Sequence, residues 1–552
     1  MRTMRSVKKF LVMLGLCGVF TFLASAANVP DFLWAKQGGV TDSAVASRVA
    51  VDLSGNVFVT GYFRGRLGLG ETNLVSERWI TNDCGLPPFV SVSDDIFVIK
   101  YDANGRVVWA RSAGGLYNDY AAGMAVDLAG NCYVTGSFQI NADFGGITLT
   151  NTMTPNTHGL FLAKYNPQGG LLWLKQANGD LVQGLAIGVE PGGNLFVTGD
   201  FIRTASFNGI NISSPTNHNI FVAKYDSNGI PLWVRQGGTD SFGTGYDVAA
   251  DQLGNCYVTG VYNTRVTFGG STLTASPDAH GIFLVSYGSD GTFRWARQGA
   301  GPRSPGGSVS DSGSGVGVDR FGDIYLSGMF GGITTFEHVT LTNIGSTDIF
   351  LAKYDAQGDL IWICQAGGVA DDVTYRSAVS SAGDVYLTGY YRSQDFYSDS
   401  ESFATQGDFT MFLAKYDARG HLRGFVRAGG GEFQQGVSAA VDSFGSSYFA
   451  GRIGRSIALF GTNALSSGIG SSTFYVTKLS PFDPVLNISR QSDSTTLSWP
   501  SWATNWQLES SGLVSAPASW SSVMEKPFLV GGENVLTNAD TASRSFFRLR
   551  RP

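Results

Sequence analysis

The sequence contains few of the residues that build metal centres and disulfide frameworks. Its 552 residues include five cysteines and five histidines, too few and too widely spaced for an extensive metal or disulfide scaffold. Charged residues make up only 15% of the chain, which excludes the charge-rich composition of disordered proteins. No stretch after residue 26 is apolar over the ~20 residues that a membrane helix needs, so we expect no membrane span.

The N-terminus has the pattern of a secretory signal peptide. Basic residues precede the apolar stretch Phe10–Leu23, and Ala24-Ser25-Ala26 is an A-x-A cleavage site. The apolar stretch is too short to cross a bilayer as an anchor. We therefore predict that residues 1–26 are removed and that the protein is exported, to the periplasm, the cell surface or the extracellular space.

Removal of this segment leaves 34 basic residues against 44 acidic residues. Binding to nucleic acid depends on clustered lysine and arginine. The acidic balance therefore argues against nucleic acid as a partner.

Glycine is abundant, with 73 copies, and it borders three motifs that each occur seven times. The first is GNVFVTG at residue 55, repeated in variant form at 130, 193, 254, 322, 383 and 445. The second is IFVIKYD at residue 96, repeated at 160, 220, 282, 349, 411 and 473. The third is an aromatic-led segment that starts at Trp34, Trp109, Trp173, Trp233, Trp295, Trp362 and Phe425.

Each motif is short, alternating and rich in β-branched or aromatic residues, which is typical of a strand. A fourth apolar run precedes each copy of the first motif, as in residues 48–52. In chain order we call these strands A (the apolar run), B (GNxxVTG), C (xFxAKYD) and D (aromatic-led). Four strands in each of seven repeats predict an all-β fold, a seven-bladed β-propeller of four-stranded blades. An open solenoid is the alternative, but it would need polar capping repeats, which the sequence does not show.

The connections within a repeat are tight turns of the form D-x-x-G. Examples are Asp52–Gly55 between strands A and B and Asp102–Gly105 between strands C and D. The second turn has too few ligands for a calcium loop. We predict no cofactor. Calcium stays an open alternative, although no specific motif indicates it.

The repeats begin and end out of phase, which predicts how the ring closes. The chain starts on a D strand at residues 32–39 and finishes its repeats on a C strand at residues 473–479. We predict that these two strands pair, so that the N-terminal strand completes the last blade. The propeller would then span residues 32–480.

These motifs resemble the SBBP (seven-bladed β-propeller) repeat family of secreted bacterial proteins. The shared pattern is D-x-x-G-N-x-Y-V-T-G followed by D-I-F-x-A-K-Y-D-x-x-G, and it covers residues 32–480. The resemblance implies an extracellular or periplasmic scaffold with no known catalytic residues. Glu190 and Ser380 depart from the pattern, which usually has Asp there, and this puts those two turns in doubt.

Residues 485–552 form a predicted second domain, a small β-sandwich-like module. Glycine becomes rare after residue 473, Pro481 and Pro484 read as a linker, and six short strand candidates follow. The closing FFRLRRP resembles the ends of small β modules on other secreted bacterial proteins. The tryptophans of this segment suit a sugar-binding platform, but Trp499 and Trp506 alternate as core residues do, and we favour the core.

Two sets of residues are candidates for chemistry. His158, His218 and His280 occupy equivalent positions before three C strands, but such positions in neighbouring blades lie ~15 Å apart, and His–metal bonds are ~2 Å. The D–A connections each carry an acidic residue 8 to 11 positions before the end of strand A. These acids are Asp42, Asp119, Asp180, Asp240, Asp311, Asp371 and Glu432, with Asp372 as an alternative in the sixth repeat.

If strand A is innermost, these acids ring one mouth of the channel. They would either cap loop N–H groups or form a negative mouth for a hydrated cation or a cationic partner. We favour the first interpretation.

Two classes of function follow from this reading. The first is a noncatalytic, monomeric scaffold that binds protein or polysaccharide. The second is a glycan lyase or hydrolase at the channel mouth, where hydrolysis needs two carboxylates ~5–9.5 Å apart. So regular a ring of acids favours architecture, and hence the scaffold.

The long B–C and D–A connections lie on one face, where we expect binding near the acids and Trp79. The face with the short turns is expected to be nearly featureless. Cys132 and Cys256 are expected to be buried and unbonded to each other.

Overall fold

A computed structural model describes most of the chain after residue 29. The described residues are 30–76, 78–81, 89–151, 157–239, 242–277, 279–302, 311–399, 401–405, 407–429, 431–468, 471–482, 484, 486–491, 494–500, 503, 506–511, 520–530, 533–539 and 546–550. They divide into a larger compact unit, residues 31–442 and 446–480, and a smaller one that includes the described residues after 480. The predicted signal peptide lies outside the described residues.

Every regular element in the described part of the chain is a β-strand, so no helix there is long and apolar enough to cross a membrane. The larger unit contains, among these residues, seven antiparallel groups with the strand order A–B–C–D. We number these repeats 1 to 7 by their A strands. The A strands are Ser43–Val51, Tyr120–Val126, the second half of Leu171–Val189, Gly243–Ala250, Ser312–Val318, Asp372–Val379 and Gln434–Val441.

The other three strands of each repeat follow the predicted motifs. The B strands are Val57–Arg64, Cys132–Gln139, Leu195–Phe207, Cys256–Asn263, Ile324–Phe330, Val385–Tyr391 and Ser447–Gly454. The C strands are Asp94–Tyr101, His158–Tyr165, Ile210–Tyr225, His280–Tyr287, Asp348–Tyr354, Thr410–Tyr416 and Ser472–Leu479. The D strands are Val107–Ala113, the first half of Leu171–Val189, Pro231–Thr239, Phe293–Ala300, Leu360–Gly367, Leu422–Gly429 and, for repeat 7, Phe32–Gln37.

The Thr-Gly pair of the B-strand motif has a structural role in holding strands A, B and C together. The Thr60 hydroxyl is buried and donates a hydrogen bond of 2.7 Å to the Phe97 carbonyl of strand C. A Cβ on Gly61 would lie 1.9 Å from the Val45 carbonyl oxygen of strand A, so only glycine fits there. The Thr bond recurs in repeats 2, 3, 4 and 6, and the close approach at Gly recurs in all seven described repeats.

The D-strand tryptophans tie each repeat to the next one. The indole N–H of Trp109 donates a 3.0 Å hydrogen bond to the Pro167 carbonyl in the C–D turn of repeat 2. Gly169 of that turn, at φ +79°, rests on the same indole, because an added Cβ would lie 2.6 Å from the ring. Equivalent indole bonds of 3.1 Å start at Trp34, Trp173, Trp233, Trp295 and Trp362.

Phe425 is the one position in this series that has phenylalanine in place of tryptophan, and the closure of repeat 7 explains why. It stands in the D strand of repeat 6, and repeat 7 has no C–D turn because its D strand comes from the N-terminus. In the described part of the chain, the C–D turn carbonyl that accepts the indole bond elsewhere therefore has no counterpart here. The ring stacks instead on Phe403 at 4.0 Å between centroids.

The B–C connections, predicted to be loops, form a second contact between neighbouring repeats. Each contains a short hairpin, and one strand of that hairpin pairs with or just beyond the D strand of the preceding repeat. In repeat 4, for example, Val266 and Thr267 pair with Thr239 and Gly238 of repeat 3. The hairpin strands are Arg66–Leu69 with Thr72–Val75, Asn141–Asp143 with Thr148–Thr150, residues 204–207 with 210–213, Arg265–Phe268 with Ser271–Thr274, Ile333–Phe336 with Val339–Thr342, Asp395–Ser398 with Glu401–Ala404, and Ile457–Phe460 with Asn463–Ser466. Three further short strands are Gly39–Val40 and the pair Arg78–Thr81 and Phe89–Val92.

The N-terminal strand pairs with the last C strand, as predicted. Phe32–Gln37 runs antiparallel to Ser472–Leu479, with Trp34 opposite Lys478. Trp34 then makes the same bond to the Ala103 carbonyl of repeat 1 that the other tryptophans make to their neighbours. The A strands contact one another in the order of the repeats, and the A strand of repeat 7 contacts that of repeat 1.

Two predicted irregularities do not disturb the fold. The turns at Glu190 and Ser380, where the sequence departs from Asp, keep the same backbone hydrogen bonds as the other A–B turns. Cys132 and Cys256 are free and fully buried, as predicted, and Cys364 is also free. Cys84 lies outside the described residues.

The smaller unit contains two antiparallel sheets in its described residues. One has the order Asn487–Gln491, Ser494–Pro500, Glu533–Ala539, Phe528–Val530, and the other the order Ser521–Ser522, Gln507–Ser511, Phe546–Arg550. Leu497, Trp499 and Leu508 are buried in its core, and Trp506 packs against them. These two tryptophans are therefore core residues, as preferred from the sequence.

The indole bond predicts an asymmetry between Trp233 and Phe425. Trp233→Phe removes the N–H donor to Ser289 but keeps an aromatic ring, and should lower the free energy of unfolding by about 1 kcal/mol. Phe425→Trp adds a donor where no turn receives it, in a packed aromatic cluster, and should bring no gain in stability. Chemical denaturation of the two variants tests this, and a stabilising Phe425→Trp would contradict the account.

Candidate functional site

The predicted acids fall into two environments that depend on their spacing from the end of strand A. We call the edge of the repeats that carries the B–C and D–A connections the long-connection edge. Asp119, Asp311 and Asp372 are buried, and each lies eight residues before the first residue of the A–B turn of its repeat. The other described acids stand one or two positions further out, and this offset changes where their side chains lie.

The three buried acids accept hydrogen bonds from N–H and hydroxyl groups of the connections around them. Asp311 accepts hydrogen bonds of 3.0 Å from the Gly331 N–H and 2.8 Å from the Thr334 hydroxyl. Asp119 accepts bonds from the Gly115 and Gln139 N–H groups, and Asp372 from the Gly368 N–H and the Ser393 hydroxyl. Burial raises the pKa of both Asp311 and Asp372 to about 6. Their partners match the loop-capping role that the sequence analysis favoured.

The remaining acids do not share one arrangement. Asp180 pairs with Arg203 at 2.8 Å and Asp371 with Arg392 at 3.3 Å, while Asp42 and Glu432 are exposed. Asp240 lies outside the described residues. The sixth-repeat equivalent of Asp119 and Asp311 is thus Asp372, the alternative, and not Asp371.

Trp79 lies in the strand Arg78–Thr81, where it is opposite Ser91 of Phe89–Val92. Its side chain lies outside what the structure describes. The placement puts the residue in the B–C connection of repeat 1, at the long-connection edge.

A cavity of about 520 Å³ opens at this edge between the A strands. Each A strand carries one extra residue in its pairing with strand B, a β-bulge that turns that residue out of the ladder. Six of the seven bulge residues line the cavity, namely Ser47, Ala122, Tyr246, Ser314, Tyr375 and Val437. Sequence reasoning missed this site because the bulge follows from strand pairing and has no motif of its own.

Three charged side chains meet beside this cavity. Asp247 accepts bonds from Arg48 at 2.6 Å and from Arg376 at 2.9 Å, and its other oxygen accepts the Val316 N–H at 3.0 Å. Each of the three follows the bulge of its own A strand, in repeats 4, 1 and 6. At the same position the other repeats have Gly123, Ala186, Gly315 and Ser438. Alignment of the seven A strands would have shown three charges among small residues.

The histidines do not form a metal triad. His218 Nδ1 lies 2.6 Å from Asp200 Oδ2, and this hydrogen bond raises the pKa of His218. Burial lowers the pKa of His158 instead. Within the residues that the structure describes, no group of three or more His, Cys, Asp or Glu side chains is placed to hold a metal ion.

The opposite edge, which carries the short turns, differs from its prediction. Leu53, Leu128, Leu253 and Phe321 project from the A–B turns with 61 to 81% of their surface exposed. The expectation of a nearly featureless face was wrong, because one of the two variable positions inside each of these D-x-x-G turns carries a large apolar side chain.

The raised pKa of Asp311 predicts a pH-dependent stability difference. Because the folded state favours the protonated carboxyl, the stability it confers is complete below the unfolded pKa of ~4 and is lost as pH rises through about 6. Asp311→Asn removes this titration. Relative to the native chain, the variant should therefore gain on the order of 2 kcal/mol between pH 4 and pH 7. Denaturant titrations at both pH values measure the gain, and equal differences would contradict it.

Comparison with known proteins gives a distant relative. No protein-family model matches the chain, so membership of the SBBP family stays a prediction. The chain is 22% identical over 494 residues to an uncharacterized WD repeat-containing protein of Acanthamoeba polyphaga mimivirus, a match that covers 74% of this chain and 35% of that protein. The chain thus spans about a third of the length of this curated relative. The similarity and the many-stranded all-β architecture together fit a repeat protein of the β-propeller type.

Proposed function

We propose that residues 32–480 form a closed seven-bladed β-propeller that acts as a noncatalytic binding scaffold outside the cell. Its support is the contact of the seven A strands in cyclic order and the pairing of Phe32–Gln37 with the last C strand. Residues 485–552 add a small β-sandwich-like domain. The sheets of the smaller unit, described above, support that part of the proposal.

Binding is favoured over catalysis by the state of the candidate acids, and this observation carries the proposal. A hydrolase or lyase at the channel mouth needs carboxylates free to act on one substrate. Asp119, Asp311 and Asp372 are each engaged by donors of their own connections. We therefore assign these acids to architecture and the edge around them to recognition.

The partner we propose is a protein, with polysaccharide as the alternative from the sequence. WD repeat proteins commonly serve as scaffolds for other proteins, and the distant relative carries that name. Both edges present exposed apolar side chains of the kind that contact a protein surface, and on the long-connection edge these are Leu116, Ile344 and Val369, 43 to 72% exposed.

Export is proposed from the signal-peptide pattern alone. The prediction is that the mature protein begins at Ala27, after cleavage behind Ala26. N-terminal sequencing of the protein secreted by its native host tests this. Recovery of the intact Met1 terminus from the cell interior would overturn the proposed location.

The two edges can be compared by matched triple variants. Leu116→Ser, Ile344→Ser and Val369→Ser change the long-connection edge, while Leu128→Ser, Leu253→Ser and Phe321→Ser change the short-turn edge. All six positions are exposed, so the fold should tolerate the changes. Once a partner is captured from the native extracellular medium, the first triple should weaken its binding at least tenfold and the second should leave it unchanged.

The reverse result, with both triples folded as judged by circular dichroism, would place recognition on the short-turn edge. If neither triple variant weakens binding, an apolar protein interface is excluded at both edges.

A further inference from the structure

The charged cluster beside the cavity contains one more buried cation than anion. Arg48 and Arg376 share the single carboxylate of Asp247. Arg48 and Asp247 are 92% and 94% buried, and the Arg376 side chain is 14% exposed. Burial of an unbalanced charge is costly unless a counter-ion or hydrogen bonds compensate it.

Hydrogen bonds within the protein compensate only part of this excess. Arg376 donates to the Tyr246 carbonyl and, at 3.4 Å, to the Leu185 carbonyl. The Nε of Arg48 is buried and has no partner. Asp247 already accepts three donors, one of them the Val316 N–H, so it has little capacity left.

The electrostatics of Arg376 agree with a surplus of positive charge. Burial and the neighbouring Arg48 lower its pKa to about 9, against the opposing effect of Asp247. A guanidinium almost never loses its proton in proteins, so the lowered pKa agrees with the hydrogen-bond geometry in indicating a buried charge that is only partly compensated. A bound anion would relieve it.

The cavity indicates what kind of anion fits. Arg376 lies in its wall, and most of the remaining wall is aromatic or apolar, with Tyr62, Tyr246, Tyr375 and Phe242 among its residues. Its volume of about 520 Å³ is within the range of small-molecule sites. One surplus cation matches a monoanion, and a guanidinium pairs well with a planar carboxylate.

We propose that this cavity binds a small organic monocarboxylate, with its carboxylate on Arg376 and its apolar body against the tyrosines. The cavity opens at the long-connection edge, but its lining does not include Leu116, Ile344 or Val369, so its failure to bind a carboxylate would leave the proposed protein interface unaffected.

Phenylacetate is a suitable probe, titrated calorimetrically into the full chain at neutral pH. Phenylacetamide has the same shape without the charge, and acetate and inorganic phosphate report anion binding without an apolar body. We expect phenylacetate to bind at least tenfold more tightly than each of the three. If phenylacetamide binds as tightly as phenylacetate, or if phenylacetate does not bind at millimolar concentration, the proposal is overturned. This test needs only the native protein.

Two substitutions with opposite expected signs locate the site. Arg376→Gln removes the carboxylate's partner and should weaken phenylacetate binding at least tenfold. Asp247→Asn removes the competing anion and keeps an acceptor for the Val316 N–H, and should tighten binding at least threefold. Arg66→Gln, which removes an exposed arginine elsewhere, serves as the matched control and should change nothing.

If Arg376→Gln does not fold, Asp247→Asn and the ligand series still decide the matter. Affinities unchanged in both folded variants would show that the probe binds elsewhere and would overturn the assignment.

Discussion

The structure depends on a hydrogen bond between neighbours: the indole N–H of one repeat donates to a carbonyl in the C–D turn of the next. A single repeat is a four-stranded sheet, and such a sheet has two exposed edges. The indole bond, the Gly that rests on the indole and the hairpin that pairs with the preceding D strand all act across the boundary between repeats. Stability is therefore a property of the array.

This constraint explains the sequence motifs better than the requirements of a single strand do. The D-x-x-G turn places a carbonyl and a bare Cα against the neighbouring tryptophan, as Pro167 and Gly169 do against Trp109. The lysine of the C strand adds to the same contact, since Lys100 Nζ donates to the Pro167 carbonyl at 3.2 Å. Phe425 is the exception that follows from the same rule, because the seventh repeat has no such turn to offer.

The inward side of the repeats is under a different constraint. In six of the seven A strands the bulge places one side chain at the cavity, and the next residue lies beside the other A strands. Four repeats have a small residue at this second position. Three repeats carry Arg48, Asp247 and Arg376 there. The seven A strands thus differ from one another at the residue after the bulge, where they lie side by side. The charged cluster that results belongs to these three repeats and is not a feature of the repeat itself.

Much of the larger unit could be predicted from its sequence because the information is local and repeated. Alternation and glycine borders placed strands B, C and D, and the offset of the repeats predicted the pairing of Phe32–Gln37 with the last C strand. The hairpins of the B–C connections were missed because their strands are only three or four residues long and one strand of each pairs with the preceding repeat. The acids were grouped too simply, since a shift of two positions separates buried Asp311 from exposed Asp42.

The N-terminal strand is a full member of repeat 7, since it pairs with the last C strand and carries the same indole bond as the internal D strands. Hydrogen exchange of the full chain, followed by mass spectrometry, compares Phe32–Gln37 with the equivalent strand Val107–Ala113 of repeat 1. We expect protection of the N-terminal strand within about tenfold of that of the internal strand, because both make the same ladder and the same indole bond. Exchange of Phe32–Gln37 at the rate of an unfolded peptide, while Val107–Ala113 stays protected, would contradict it.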